Sequence, residues 1–402
     1  MPRRIAVLTT SRADWGHLVW PLRRMHEHEG LDPRLIVAAS HLEKRFGSTV
    51  EAIRSDGFEP DALIPCLAEG DTPESMARTL ADLSSGLVDV LESIRPDLIL
   101  LIADRYEMMA PASIATAMGI PIVHVEGGEI SEGALDQQVR DALTKLSHVH
   151  LVPHQAAAER VRSLGEDADR VHVVGAPSLD HLRWSQLPSI DDVRAHVGVD
   201  AASPPLLVSM HPVTLQEDPV ADAVELVAAL DRVDRPVVFC FPNADAGHDR
   251  IIDLAEAFCR RRRNASLHRH IDHLQYWTLL AHAGALVGNS SSGIMESPAL
   301  SIPCVNIGDR QRGRLRAANI IDSAPDADRI HEAIVRALEP SFASTIAGLA
   351  NPYGDGDAGR RIADILAGCP SGQSLLRKRI ASTAAGSGAT AASFSSETET
   401  SP

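Results

Sequence analysis

The sequence predicts an α/β protein built from two similar halves, each a parallel sheet with helices on both faces, set around a cleft. Three observations carry this. The chain has 402 residues, too long for one ordinary domain and about right for two. Short, continuously apolar, β-rich runs alternate with longer helical stretches, as in parallel strands covered on both faces. The alternation runs once, is interrupted by a Pro-bearing joint, and then runs again.

In the first half, strands are expected at 4–10 (RIAVLTT), 35–39, 97–103 (DLILLIA), 121–126 (PIVHVE), 149–153 and 171–175, with helices at 16–28, 73–94 and 111–118. The stretch from Leu179 to Pro204, with Pro188 inside it and Pro205 after it, reads as the joint. In the second half, strands are expected at 205–210, 236–241, 266–268, 285–289 and 303–307, with helices at 219–231, 249–262, 274–283 and 293–300. The organisation is thus an amino-terminal domain over 1–180 and a carboxyl-terminal domain over 181–370, its last helix placed to pack back on the first. A disordered tail is expected over 371–402, because from Ala381 the composition collapses to Ser, Thr, Ala and Gly and cannot offset its ordering entropy.

Composition narrows the function. With 38 Lys+Arg against 54 Asp+Glu the formal net charge is -16, a field that repels nucleic acid and anionic membranes. A polyanionic ligand must then be held by a few local cations. The five cysteines (Cys66, Cys240, Cys259, Cys304, Cys369) are scattered and form no CxxC pair, which speaks against a disulfide scaffold or zinc ribbon and for a reducing cytoplasm. The start, MPRRIAVLTTSRADWG, reads as a first strand and not as a signal peptide. No apolar run is long enough for a membrane span. The histidine groups at 148–154 and 268–273 lack HExxH spacing, and alternation along a strand sends ligands to opposite faces. No metal and no cofactor is expected.

Ligands of doubly wound sheets bind beyond the carboxyl ends of strands, and five polar segments sit there. Thr10–Gly16 offers a helix start plus the bidentate cation Arg12; a capped helix with a surface Arg is the plainer alternative. Asp104 follows a very apolar strand and reads equally as an acid for proton transfer or as a helix N-cap. Glu126, Glu129, Glu132 and Asp136 place four carboxylates within 11 residues after one strand, more than an acidic loop needs. His211 suits phosphate binding or acid–base work, or is satisfied by backbone. In Asn289–Glu296, the hydroxyls of Ser290, Ser291 and Ser292, followed by Gly293, suit a diphosphate at a helix start, and Glu296 suits a ribose diol.

The series SRADWG, ADRYEM, HVEGGE, LDQQVRDALTKLSH, VGAPSLD, HPVT, FPNADAG, VGNSSSGIMES and NPYGDG, in order over roughly residues 4–365, resembles the UDP-N-acetylglucosamine 2-epimerase family. Within it the likeness is to the hydrolysing branch that makes N-acetylmannosamine for sialic-acid pathways. The non-hydrolysing branch tends to carry GTRPE-, HGDT-, HVEAGLRT- and HRRE-like motifs where this chain reads TSRADWG, IADRYE, HVEGGEIS and HPVT.

The resemblance implies a glycosyltransferase-B type fold, two Rossmann-like domains facing a cleft. It implies anti elimination of UDP across C1–C2, then hydration of the 2-acetamidoglucal. Asp104, Glu126 and Asp136 match the catalytic carboxylates. Arg12, His211 and Arg310 match cationic positions around the diphosphate, with His211 also counted as catalytic. Ser290 and Ser291 match its hydroxyl donors, Glu296 the ribose acid and Asn243 a further cleft position, and Ser292, Gly293 and Asp14 beside them are expected to bind substrate too. Gln137 stands where the family often has an acid. The implied partners are a UDP-sugar and a second copy of the chain, as dimer or tetramer. A modified UDP or GDP amino sugar, the non-hydrolysing reaction, a glycosyltransferase and a non-catalytic nucleotide-sugar binder are the alternatives.

Overall fold

The structure, a computed structural model, describes residues 1–199, 203–370 and 372–379. Seven strands form the first sheet: β1 (Arg3–Thr9), β2 (Leu31–Ala38), β3 (Ala62–Ile64), β4 (Leu98–Ile102), β5 (Ile122–Val125), β6 (Val149–Val152) and β7 (Val171–Val173). Six form the second: β8 (Leu206–Ser209), β9 (Val237–Cys240), β10 (Ala265–His268), β11 (Ala285–Gly288), β12 (Cys304–Ile307) and β13 (Ile320–Ser323). Their orders are β3-β2-β1-β4-β5-β6-β7 and β10-β9-β8-β11-β12-β13, and every pairing is parallel. Each order reverses once, between β1 and β4 and between β8 and β11, so each lobe is doubly wound with its ligand crevice at that point.

The continuous apolar runs are strands because both faces are covered: every residue of β4, β5, β8, β9, β11 and β12 is buried. Two strands lie outside the sequence expectation, β3 and β13. Both are short edge strands with solvent-facing positions, so neither carries a long apolar run. The helix expected over 293–300 is instead one α turn, Ser291–Met295, followed by a 3₁₀ turn, Ser297–Leu300, because Pro298 has no N–H to continue it.

The helix Arg12–Glu27 opens on a capping box in which the Ser11 hydroxyl accepts from the Asp14 N–H. Asp14 Oδ2 in return accepts from the Thr10 N–H (2.9 Å), the Thr10 hydroxyl (2.7 Å) and the Ser11 N–H (3.0 Å). Asp14 was expected as a substrate-binding residue. It borders the cleft, and its Oδ2 shapes the loop that presents Arg12.

Gly293, expected to bind substrate, is corrected. Its N–H donates to the Ser290 carbonyl, and a Cβ there would lie 2.6 Å from Cys304 Sγ and 2.7 Å from Leu286 Cδ2. The glycine is required by packing on the sheet and touches no ligand space. Gly293→Ala is therefore expected to cost about 1–3 kcal/mol, read as a lower Tm, with partial recovery when Cys304→Ala is added.

The chain crosses between lobes twice, and the crossings are tied where the Ala176 N–H donates to the Tyr353 carbonyl (2.7 Å). The helix Ala358–Gly368 returns to the first lobe, capped by Asp180 on the Ala358 and Gly359 N–H groups, and its Ile362, Ala363 and Leu366 join the first-lobe core. The expectation of a disordered tail from 371 is corrected for 372–379. Leu375 is buried in that core, and Arg170 donates to the Leu375 and Arg377 carbonyls. Residues 371 and 380–402, the rest of that expectation, lie outside the described residues.

Candidate active site

Both switch points open into one cleft lined by residues of both lobes, where ligands of doubly wound sheets bind. The first lobe contributes Arg12 after β1, Asp104 after β4, and Glu126 and Asp136 after β5. The second contributes His211 after β8, Asn243 after β9, Ser290, Ser291, Ser292 and Glu296 after β11, and Arg310 after β12. Among the described residues no group of three or more His, Cys, Asp or Glu is placed to hold a metal ion, and no helix is long and apolar enough to cross a membrane.

The carboxylates are aimed by strained turns. Ala103 and Glu126 have φ of 60° and 65°, each costing about 1–3 kcal/mol in a residue other than glycine. The N–H of Ala103 extends the ladder to Val125 and that of Glu126 to Leu151, after which the chain turns out of the sheet. Buried His124 steadies the first turn. Burial lowers its pKa to about 4, so the neutral ring donates Nε2–H to the Ala103 carbonyl (2.8 Å).

Each acid has a different partner. Asp104 accepts from Arg140 Nη2, with Arg314 Nη2 at 3.8 Å. Glu126 Oε1 faces His17 Nδ1 at 2.8 Å, leaving Oε2 for a ligand, and His17 Nε2 lies 3.8 Å from Glu296 Oε1 across the cleft. Asp136 Oδ2 accepts from Arg310 Nη2 (2.9 Å), also across the cleft. Burial raises the pKa of Asp136 despite Arg310. For His17 burial works against charge, but Glu126, with Glu296 and Asp14, outweighs it and raises the pKa to about 9. The site therefore sets an ion pair, Glu126 with a histidinium, beside an acid pushed toward its neutral form. Such unequal environments divide labour between base and acid.

At the other end lie donors for an anion. His211 Nδ1 accepts the Asn243 N–H (3.1 Å), so in the neutral ring the proton sits on Nε2. Burial, with Arg310, Arg12 and Arg105 nearby, lowers its pKa well below the ordinary value. His211 is thus corrected from a cation to a neutral N–H donor in the free protein. Arg12 donates to the Phe241 carbonyl (3.1 Å), and Arg310 Nη1 to the Asn289 carbonyl (3.2 Å). Ser290 caps the turn, its hydroxyl accepting the Ser292 N–H. Ser292 is bonded on both sides, to the Tyr276 hydroxyl and, donating, to Glu296 Oε2.

The lobes meet closely. Gly133 of the loop after β5 comes so near the second lobe that a Cβ would lie 2.4 Å from the Asp309 carbonyl oxygen. Beside it the Glu132 N–H donates to the Arg312 carbonyl, and the Leu135 N–H to the Thr214 hydroxyl.

A family profile described as UDP-N-acetylglucosamine 2-epimerase matches residues 23–367. The chain belongs to this family. The hydrolysing UDP-N,N'-diacetylbacillosamine 2-epimerase of Legionella pneumophila is 32% identical over 379 residues, 94% of this chain and 99% of that protein. The hydrolysing GDP/UDP-N,N'-diacetylbacillosamine 2-epimerase of Campylobacter jejuni is 32% identical over 324 residues, 80% of this chain and 84% of that one. The UDP-GlcNAc 2-epimerase from Neisseria meningitidis, crystallised with UDP-GlcNAc, superposes with a TM-score of 0.76 at 18% identity, covering 90% of this chain and 99% of that chain. That likeness carries the fold, two Rossmann-like domains of glycosyltransferase-B type.

Sequence reasoning about this 2-epimerase-family chain missed His17, Arg140, Arg314 and Tyr276, all of which border the cleft. Two had a signal. His17 lies three residues past Asp14 on one helix, and Arg140 four past Asp136 on another, spacings that share a helix face. Gln137, the departure from the family pattern, shapes the acidic loop. It accepts the Ser131 N–H (2.7 Å) and donates to Asp141 (2.9 Å).

Proposed function

We propose that this chain is a hydrolysing 2-epimerase that converts UDP-N-acetylglucosamine to UDP and N-acetylmannosamine. The observation that carries the reading is that Asp104, Glu126 and Asp136 of one lobe line the same cleft as Ser290, Ser291 and Arg310 of the other. The acids come from one lobe and the serine hydroxyls and Arg310 from the other, so a sugar nucleotide held by both puts its glycosidic carbon between the lobes.

The C1–O bond breaks with its electron pair leaving on UDP, whose new charge meets Arg12, Arg310, the serine hydroxyls and His211 Nε2–H. The C2 proton passes to a carboxylate, and C1=C2 forms. We assign this base to Glu126, the acid paired with histidinium. Asp104, held between two arginines, faces the positive character at C1. In hydration, water oxygen bonds to C1 as water gives up one proton to the Asp104 carboxylate, and a proton is delivered to C2 from the opposite face. Asp136, which burial biases toward the protonated form, supplies it.

Incubation with UDP-N-acetylglucosamine in D2O is expected to yield free UDP and C2-deuterated N-acetylmannosamine. Deuterated sugar still attached to UDP would overturn the hydrolysing assignment. A second reading changes only the sugar. Two relatives at 32% identity are named for diacetylbacillosamine, and the residues assigned here address C1, C2 and the diphosphate, not C4 or C6. Comparing kcat/KM for UDP-N-acetylglucosamine and UDP-N,N'-diacetylbacillosamine decides between them.

A further inference from the structure

The helix His248–Arg261 begins at Gly247 without any side-chain cap of its own, although its His248 N–H also reaches the Asp245 carbonyl (3.1 Å); the first-turn N–H groups need acceptors from outside the helix. The cap comes from the other lobe. Asp71, in the loop after β3, accepts the Gly247 N–H (2.7 Å) and the His248 N–H (3.1 Å) on Oδ1, and the Asp249 N–H (3.1 Å) on Oδ2. His248 Nδ1 adds a fourth contact to the carboxylate, at Oδ1 (2.7 Å). Phe46 of the first lobe packs edge-on against Phe241 beside it, ring centroids 6.0 Å apart.

The place of this contact gives it leverage. The chain leaves the first lobe after β7, at one edge of the sheet, whereas Asp71 follows β3 at the opposite edge. Six strand spacings separate these edges, roughly 29 Å. In the second lobe β9, which precedes the capped helix, likewise lies toward the edge opposite β13. A bond so far from the crossings has a long arm against opening of the lobes.

Asp71 holds the carboxyl end of segment 241–247, which also organises the anion end of the cleft. Its Asn243 N–H fixes the His211 tautomer, its Phe241 carbonyl receives Arg12, and its Asp245 pairs with Arg105 at 3.3 Å. We propose that Asp71 is a positioning residue. By capping a helix of the facing lobe it latches the cleft shut and sets segment 241–247, and through it His211 and Arg12, for the leaving diphosphate. The role at the diphosphate rests on the functional reading above; the latch itself does not.

The test compares full-length wild type with Asp71→Ala, and with Asp71→Glu as the conservative variant. In Asp71→Ala, hydrogen exchange at the amides of 247–249 is expected to quicken by about tenfold. The radius of gyration should rise in small-angle scattering, UDP affinity by calorimetry should fall several-fold, and KM for UDP-N-acetylglucosamine should rise more than kcat falls. Asp71→Glu should recover part of each. Unchanged exchange and scattering in a folded Asp71→Ala protein would overturn the latch. A lower Tm with unchanged KM and UDP affinity would reduce Asp71 to a structural cap and overturn positioning. If wild type releases no UDP from either nucleotide sugar, while exchange, scattering and UDP affinity still respond to Asp71→Ala, the latch stands and only the functional reading falls.

Discussion

Replacing Glu126 by Gln is expected to slow UDP release by about 10³ while leaving UDP affinity within a few-fold of wild type. The amide keeps the size of the side chain and an oxygen for His17, so the turn at Glu126 should persist, but it cannot take a proton from C2. A wild-type rate in this variant would remove Glu126 from the chemistry. His17 supplies a second, independent readout. Its pKa is raised from 6.5 to about 9 by Glu126, aided by Glu296 and Asp14 and opposed by burial. A histidine raised by folding contributes stability that is complete below its unfolded value and is lost as pH rises through its folded one. Wild type should therefore lose stability between about pH 6.5 and 9. In Glu126→Gln that decline should be smaller, because the principal anion is gone. Thermal unfolding at the two pH values measures this, and NMR titration of His17 should show its pKa moving down. An unmoved His17 would mean that Glu126 does not hold its proton.

What was legible in the sequence follows the range of the interactions involved. The inner strands announce themselves because double coverage makes them continuously apolar, and the residues just after them face the crevice of any doubly wound sheet. Asp104, Glu126, His211, Ser290 and Ser291 were reachable in this way. Asp136 stood out in the acidic run after β5, whereas Arg310 and Asn243 came to notice through family resemblance, since nothing local distinguishes Arg310 from Arg312 or Arg314. Asp14 and Gly293 each carry a structural role that a local pattern does not separate from a binding one. A carboxylate three residues after a serine caps a helix as readily as it binds sugar, and a glycine after a serine run serves close packing as readily as a phosphate. The protonation state of His211 depends on a backbone N–H 32 residues away in sequence. The cap from Asp71 reaches a helix start 176 residues away. No pattern within a window of sequence encodes either.

The second large effect concerns the leaving group. Arg310→Met is expected to lower kcat/KM by about 10²–10³ and to weaken UDP binding as well, because one side chain serves two neighbours. Its Nη1 donates to the Asn289 carbonyl, while Asn289 holds His211 through both its amide oxygen and its amide nitrogen. Its Nη2 pairs with Asp136. Loss of the guanidinium removes a charge from the diphosphate end and leaves Asp136 buried without its main cation, pushing that carboxyl further toward the neutral form. The two consequences separate by measurement. Asp136→Asn should stop turnover yet keep UDP affinity, whereas Arg310→Met should lose both. The double variant should bind UDP no better than Arg310→Met alone if the arginine acts on the nucleotide directly. Arg310→Lys should fall between, since an ammonium restores charge but not the planar fork that reaches Asp136 and Asn289 together. Wild-type UDP affinity in Arg310→Met would show that the arginine serves only Asp136, and the anion would then have to be held by Arg12, the serine hydroxyls and His211 alone.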